Sequence, residues 1–217
     1  SFIGLARILK SEHQQYSFNS LQKLEGVRKG QTVEGLVELK QYLKRFGYYP
    51  SDVNLMASDF DDLLESALKT HQNYFHLNVT GILDDSTIKQ MMIPRCGMPH
   101  ITPNNTKSKH TKFHMEASDA ASANIVIAFY SGDHGDAHAS SPEGGRLHFD
   151  ADEKWSANPA MDQIDLESVA VHEIGHLLGL DHSSDSNAVM YSKIPPGTVK
   201  RDLAQDDIDG IHALYGN

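Results

Sequence analysis

Apolar residues in the first hundred positions recur at helical spacing. Between Val33 and Phe46, the residues Val33, Leu36, Val37, Leu43 and Phe46 fall on one helical face, with Gly47 placed to cap the helix and Pro50 to stop it. A second helix is predicted from about Asp59 to Phe75, with Phe60, Leu63, Leu64, Ala67, Leu68 and Phe75 facing inward. A short third helix follows the N-cap chemistry of Asp84, Asp85 and Ser86 and carries Ile88 and Met91. Three such helices can close a small bundle. Pro94, Pro99, Pro103 and Gly97 then break the periodicity, so Pro94 to His110 reads as a linker.

The pattern changes after Thr111. Ala123 to Phe129 is rich in β-formers and predicts a buried strand. A loop rich in Gly, Asp and His runs from Ser131 to Gly145, and Arg146 to Glu153 predicts a short strand and an acidic turn. Ile164 to Leu178 is helical by spacing, with Leu166, Val169, Ala170, Ile174 and Leu177 on its apolar side, and a last helix spans about Leu203 to Leu214. The chain therefore divides into a helical part, residues 1–110, and an α+β part, residues 111–217.

Composition narrows the function. The 217 residues are 39% hydrophobic, too apolar for a solvated tail, and no apolar run reaches the length of a bilayer span. A net charge of −10 without a Lys/Arg cluster argues against nucleic acid as a partner. One Cys cannot form an internal disulfide, whereas 13 His offer metal ligands in its place. The opening Ser1 to Gly4 shows no basic segment followed by an apolar one, so no signal peptide is visible, nor is a carboxy-terminal lipid-anchor signal. Asn78 and Asn104 begin glycosylation sequons, which matter if the protein is secreted.

The chemistry concentrates between His172 and His182. On a helix, His172 and His176 project from one face about one turn apart, and Glu173 sits beside them. Gly179 can end the helix at positive φ, so the returning chain can deliver His182. Three neutral imidazoles suit Zn²⁺ and leave a fourth position for water. Zinc lowers the pKa of that water and polarises a peptide carbonyl, and Glu173 is placed to act as general base. No Ser or Cys nucleophile is indicated.

This segment resembles the extended zinc signature of the metzincin peptidases, and Met190 resembles their Met-turn. Together with Pro94 to Pro99, which carries Arg95, Cys96 and Gly97, it is similar to the matrix metalloproteinases. Leu147 to Trp155 and the helical first half look most like the plant branch. The resemblance implies a three-helix propeptide bundle followed by a catalytic domain with a mixed, twisted sheet and a long active-site helix. It also implies a cysteine switch, in which an exposed turn presents the Cys96 thiolate to the zinc and holds the chain latent. His134, Asp136, His138 and His148 correspond to a structural zinc site, and Asp150 and Glu153 to calcium ligands. The expected partners are extended polypeptide substrates, the propeptide as intramolecular inhibitor and an activating protease. The expected form is a secreted, extracellular monomer, with cell-surface or cell-wall association left open. Substrates would lie along a sheet edge with one side chain in a pocket near Met190 to Gly197, where Trp155 and Tyr191 are lining or core residues.

The chain also departs from the family pattern. Segments are missing near 110/111 and 136/137, and a true deletion would strip one face of the sheet, so residues absent from this sequence are the better reading. Arg146 stands where the family often has an acidic calcium ligand, which argues against a further calcium site. His100 replaces an Asp, so a salt bridge to Arg95 is not assured and weaker latency is expected. The rival reading is a non-catalytic metal- or glycan-binding module, because the bundle also resembles peptidoglycan-binding domains. The presence of Glu173 speaks against it.

Overall fold

The structure is a computed structural model that describes residues 19–50, 53, 55, 57–101, 126–131, 139–140 and 146–216. Four helices form the first part: α1 (Asn19–Gln22), α2 (Leu36–Arg45), α3 (Asp62–Tyr74) and α4 (Asp85–Met92). The three predicted helices are present, and the short α1 turn adds Leu21 and Leu24 to their core. Leu36, Leu39, Leu43 and Phe46 meet Leu64, Ala67, Leu68 and Phe75, with Ile88 and Met91 closing the cluster. Leu63 was expected inward but is 43% exposed. It lies beside Leu64, and the helix turns only one of these neighbours fully to the core.

Local chemistry ends each helix where the pattern predicts. The Asp61 and Asp84 side chains accept from the backbone N–H groups of Leu64 and Thr87, which caps α3 and α4. At the end of α2, Gly47 takes φ 84°. Tyr48 N–H donates to Leu43 O (2.8 Å) and Gly47 N–H to Lys44 O (3.1 Å), the paired bonds of a Schellman motif. A Cβ at Gly47 would sit 2.1 Å from Ile101 O, so only glycine admits the backbone that returns after the proline-rich turn.

The second part contains β1 (Val126–Tyr130), β2 (Ala139–Ser140), β3 (Arg146–Asp150), β4 (Trp155–Ser156), β5 (Ile164–Asp165), α5 (Leu166–Leu177) and α6 (Gln205–Tyr215). One sheet has the order β1-β3-β2. β1 is parallel to β3, with Val126 opposite Arg146 and Tyr130 opposite Asp150, and β2 is antiparallel to β3. The sheet is therefore mixed, as expected. β4 and β5 form a separate parallel pair. Leu147, Phe149, Ile164, Val169 and Ile194 make the core beneath α5.

Three predictions need correction here. β1 is not a buried strand: Ile127, Phe129 and Tyr130 are at least half exposed, and among the described residues the strand pairs on one side only, with β3. Ile164 and Asp165 do not open the helix. They pair with β4, and Asp165 becomes the N-cap of α5. Ile174, assigned to the apolar side, is 42% exposed. Among the described residues, no helix is long and apolar enough to cross a membrane.

Asp165 locks α5 to the chain that follows. Its fully buried carboxylate accepts from Ser168 N–H (3.0 Å) and from Arg201 Nε (2.9 Å) and Nη2 (2.6 Å). The Arg201 guanidinium, with help from Ser168, holds the Asp165 carboxyl below its ordinary 3.8. A depressed folded-state pKa stabilises the fold above 3.8, and that contribution disappears as pH falls through the lower value. Asp165→Ala removes both cap and ion pair. It is expected to cost about 3 kcal/mol in urea unfolding at neutral pH and to flatten the loss of stability below pH 3.8. An unchanged acid limb would refute this assignment.

Candidate metal centre

α5 presents His172 and His176 to one side, one turn apart. The helix then stops in a second Schellman motif: Gly179 has φ 93°, Gly179 N–H donates to His176 O (2.9 Å), and Leu180 N–H donates to Gly175 O (3.0 Å). The reversal brings His182 back. His176 Nε2 lies 3.1 Å from His172 Nε2 and 3.2 Å from His182 Nε2.

Proton bookkeeping shows what this convergence requires. His172 Nδ1 lies 2.7 Å from Val189 O, and His176 Nδ1 lies 2.8 Å from Leu180 O. A carbonyl only accepts, so each Nδ1 carries the proton and each Nε2 is a bare acceptor. Burial lowers the pKa of His172, His176 and His182, which keeps the rings neutral. Lone pairs this close repel unless a cation lies between them. Cys96 Sγ completes the group at 3.5 Å from His176 Nε2, and all four ligand atoms fall within 4.8 Å of one another. A tetrahedral zinc with bonds of about 2.0–2.3 Å has ligand–ligand edges of about 3.3–3.6 Å, so the donor set fits that ion.

Cys96 was expected in an exposed turn but is only 5% exposed. Cys96 N–H donates to Ser192 O (2.9 Å), and Arg95 bridges antiparallel to Lys193, so the turn is laid along the Tyr191–Ile194 segment. Burial and the nearby Glu173 push the Cys96 thiol up, and a cation at its sulfur would reverse that. The Glu173 carboxylate is fully buried with neither oxygen accepting a hydrogen bond. Burial pushes it up to about 7, with the Cys96 thiol pulling the other way. Beside it, Cys96, Val169, His172, Glu173, Ser192 and Ile194 line a small cavity with room for about one water. Ser192 and Ile194 fall in the predicted Met190–Gly197 pocket region. Trp155 instead packs on Phe149 (5.3 Å between ring centroids), and Tyr191 packs on Phe75 (6.0 Å).

Met190 lies beneath the ligands, and Gly175 explains how it fits. A Cβ on Gly175 would come 2.3 Å from Met190 Sδ. Sequence reasoning missed the residue that shapes this turn. Asp207 on α6 is buried and accepts from Val189 N–H (2.8 Å), Met190 N–H (2.9 Å) and Ala204 N–H (2.8 Å). Its place in the first turn of a helix was the one sequence signal available.

The other predicted sites are resolved in part. His134, Asp136, His138 and Asn104 lie outside the described residues, as do both predicted gaps. His148 is half-buried on β3, with its ring 5.8 Å from Tyr130. Asp150 Oδ1 accepts from Asp152 N–H (2.8 Å), and Glu153 closes the same turn through Asp150 O. Neither joins a group of three ligands among the described residues. Asn78 is exposed between α3 and α4.

The α+β fold and the convergent imidazoles define a zinc-dependent metalloendopeptidase of the matrix metalloproteinase type. Comparison with known proteins agrees: residues 104–216 match the matrixin peptidase family, and residues 32–91 match a putative peptidoglycan-binding domain. The chain belongs to the matrixin family. It is 39% identical to Metalloendoproteinase 1 of Glycine max, over 95% of this chain and 90% of that protein. It is 37% identical to Metalloendoproteinase 5-MMP of Arabidopsis thaliana (93% and 77%) and 34% identical to human matrilysin (82% and 85%). The alignment with the Glycine max protein runs over 277 positions against 217 residues here, so at least 60 of its positions have no counterpart in this chain.

Gly175→Ala tests the close approach beneath the ligands. It is expected to displace Met190 and lower zinc affinity about 10-fold or more, as loss of a supporting contact does. Competition with a chromogenic chelator measures this, and unchanged affinity would mean that Met190 gives way freely.

Proposed function

We propose that this chain is the latent form of a secreted endopeptidase that cleaves extended polypeptides, with the first 110 residues as its inhibitory propeptide. The observation that carries this reading is Cys96 Sγ among the three imidazoles, where the attacking water would otherwise sit. His172, His176 and His182 would hold zinc, which supplies a Lewis acid for the peptide carbonyl and a water activated near neutral pH. Glu173 takes a proton from that water onto its carboxylate and returns it to the amide nitrogen as the C–N bond breaks. Met190 and Asp207 position the imidazoles, and Ser192 and Ile194 border the pocket for a substrate side chain.

The bundle supports the inhibitory reading through what it touches. Tyr74 donates to Ser183 O (3.2 Å), Gln90 donates to Tyr191 Oη (3.1 Å), and the His100 ring lies 4.9 Å from that of His182. A glycan-binding face would need to be open, whereas this one packs against the peptidase half. His100 accepts the place of the family's Asp without charge: Arg95 Nη2 lies 3.2 Å from His100 Nε2, and Tyr48 Oη bonds its Nδ1.

The experiment is a paired substitution in the zinc-loaded full chain. Cys96→Ser is expected to cleave a peptide at least 10-fold faster than the unmodified chain before any activation. Adding Glu173→Gln is expected to lower that rate about 10²- to 10⁴-fold with zinc content unchanged. A Cys96→Ser chain as silent as the parent would defeat latency, and a Glu173→Gln chain that still cleaves would defeat the general base.

We further propose that His134, Asp136, His138 and His148 hold a structural zinc, that Asp150 and Glu153 serve calcium, and that Asn78 and Asn104 accept glycans. The enzyme acts as an extracellular monomer released by an activating protease. Metal analysis is expected to find zinc beyond the amount that His172→Ala removes, together with calcium. Complete loss of zinc in that variant would remove the structural site from the account.

A further inference from the structure

The surface between the bundle and the peptidase half buries two basic side chains that no carboxylate pairs among the described residues. Arg95 and Lys193 are each 1% exposed, and neither forms an ion pair among the described residues. Arg95 Nε donates to Cys96 O (3.1 Å) and Nη2 to Met98 O (3.1 Å), but Nη1 is buried without a partner. Lys193 Nζ is likewise buried and unpartnered. His71 is wholly buried, and neither ring nitrogen has a hydrogen-bond partner.

These groups share one aromatic enclosure. Arg95 and Lys193 face each other across a backbone bridge. Arg95 Cζ stands 3.3 Å from the Phe46 ring centroid, and Lys193 Nζ stands 5.0 Å from that of Phe75. The His71 ring lies 4.8 Å from the same Phe75 ring and 5.1 Å from Tyr48. Both cations also lower the pKa of His71, so all three feel one another. The ring faces offset part of the cost of burying a cation. An uncompensated buried ion costs several kcal/mol. Burial and Arg95 lower the pKa of Lys193, so it can shed its proton, but an arginine cannot. The carbonyls and His100 that Arg95 meets carry no negative charge.

We propose that a halide-sized inorganic anion binds between the two halves of the chain, held by Arg95 Nη1, Lys193 Nζ and a His71 N–H. A spherical anion accepts from any direction, which suits three donors of different shape. The anion supplies at this junction the negative charge that His100 does not, and it pins the Arg95–Cys96 turn to the Lys193 segment. Binding itself does not depend on Cys96 acting as an inhibitor.

The test is thermal unfolding of the zinc-loaded full chain in sodium chloride and in sodium gluconate at equal ionic strength, with gluconate as the anion too large to enter. At about 100 times its dissociation constant, chloride is expected to raise the melting temperature by about 5 °C. Crystals in bromide are expected to give an anomalous peak in contact with Arg95 and Lys193. Lys193→Met removes the buried cation without a polar remnant, and His71→Phe removes the ring donor; each is expected to lose most of the chloride-dependent shift. Equal melting temperatures in the two salts, an anomalous map empty at Arg95, or a full chloride shift in both variants would each overturn the site.

Discussion

The geometry of the centre depends on three imidazole nitrogens being forced together, two of them with no proton. The enforcement comes from behind. The Val189 and Leu180 carbonyls accept hydrogen bonds from Nδ1–H of His172 and His176, which leaves their Nε2 atoms bare and aimed at one point. Without a cation that arrangement is repulsive. Much of the surrounding fold can be understood as the scaffold that sustains it. Asp207 fixes the peptide that carries Val189 O, Gly179 reverses the chain so that Leu180 O and His182 arrive, and Gly175 leaves room for Met190 underneath.

The same logic explains why burial and charge are arranged unevenly. On the peptidase side, buried polar groups are paired in chains: Asp165 with Ser168 and Arg201, and Asp207 with three amides. At the junction with the bundle, Glu173, Arg95, Lys193 and His71 are buried with atoms that have no partner. Satisfied networks rigidify a fold, whereas unsatisfied groups hold free energy in reserve. Among the described residues, these unsatisfied groups gather where the bundle meets the peptidase half.

The sequence made the chemistry legible because the ligand spacing is local. His172, His176 and His182 lie within one helix and its reversal, and Gly179 and Met190 are near in the chain. The bundle helices were legible for a similar reason, since periodicity and capping residues act over a few positions. What escaped depends on distant partners. Cys96 read as an exposed turn because nothing nearby covers it; the cover comes from Ser192 and the imidazoles. β1 read as buried because its residues are apolar, yet among the described residues it pairs only with β3, and no local signal marks that. Asp207 and Lys193 looked like ordinary charged positions until tertiary contact gave one a set of amides and the other an arginine.

The Cys96 turn is clasped from two directions. Its front is bonded to Ser192 and bridged to Lys193, while its rear is bonded to the bundle, with His100 N–H donating to Phe46 O (3.0 Å) and Ile101 O seated against Gly47. All of these grips on the turn lie at or before residue 101. Scission of the polypeptide just beyond that point therefore severs none of these contacts. Under the proposed latency, such a cut turns an intramolecular block into a bound fragment, and the fragment's dissociation rate, rather than the cut, sets when the centre is uncovered.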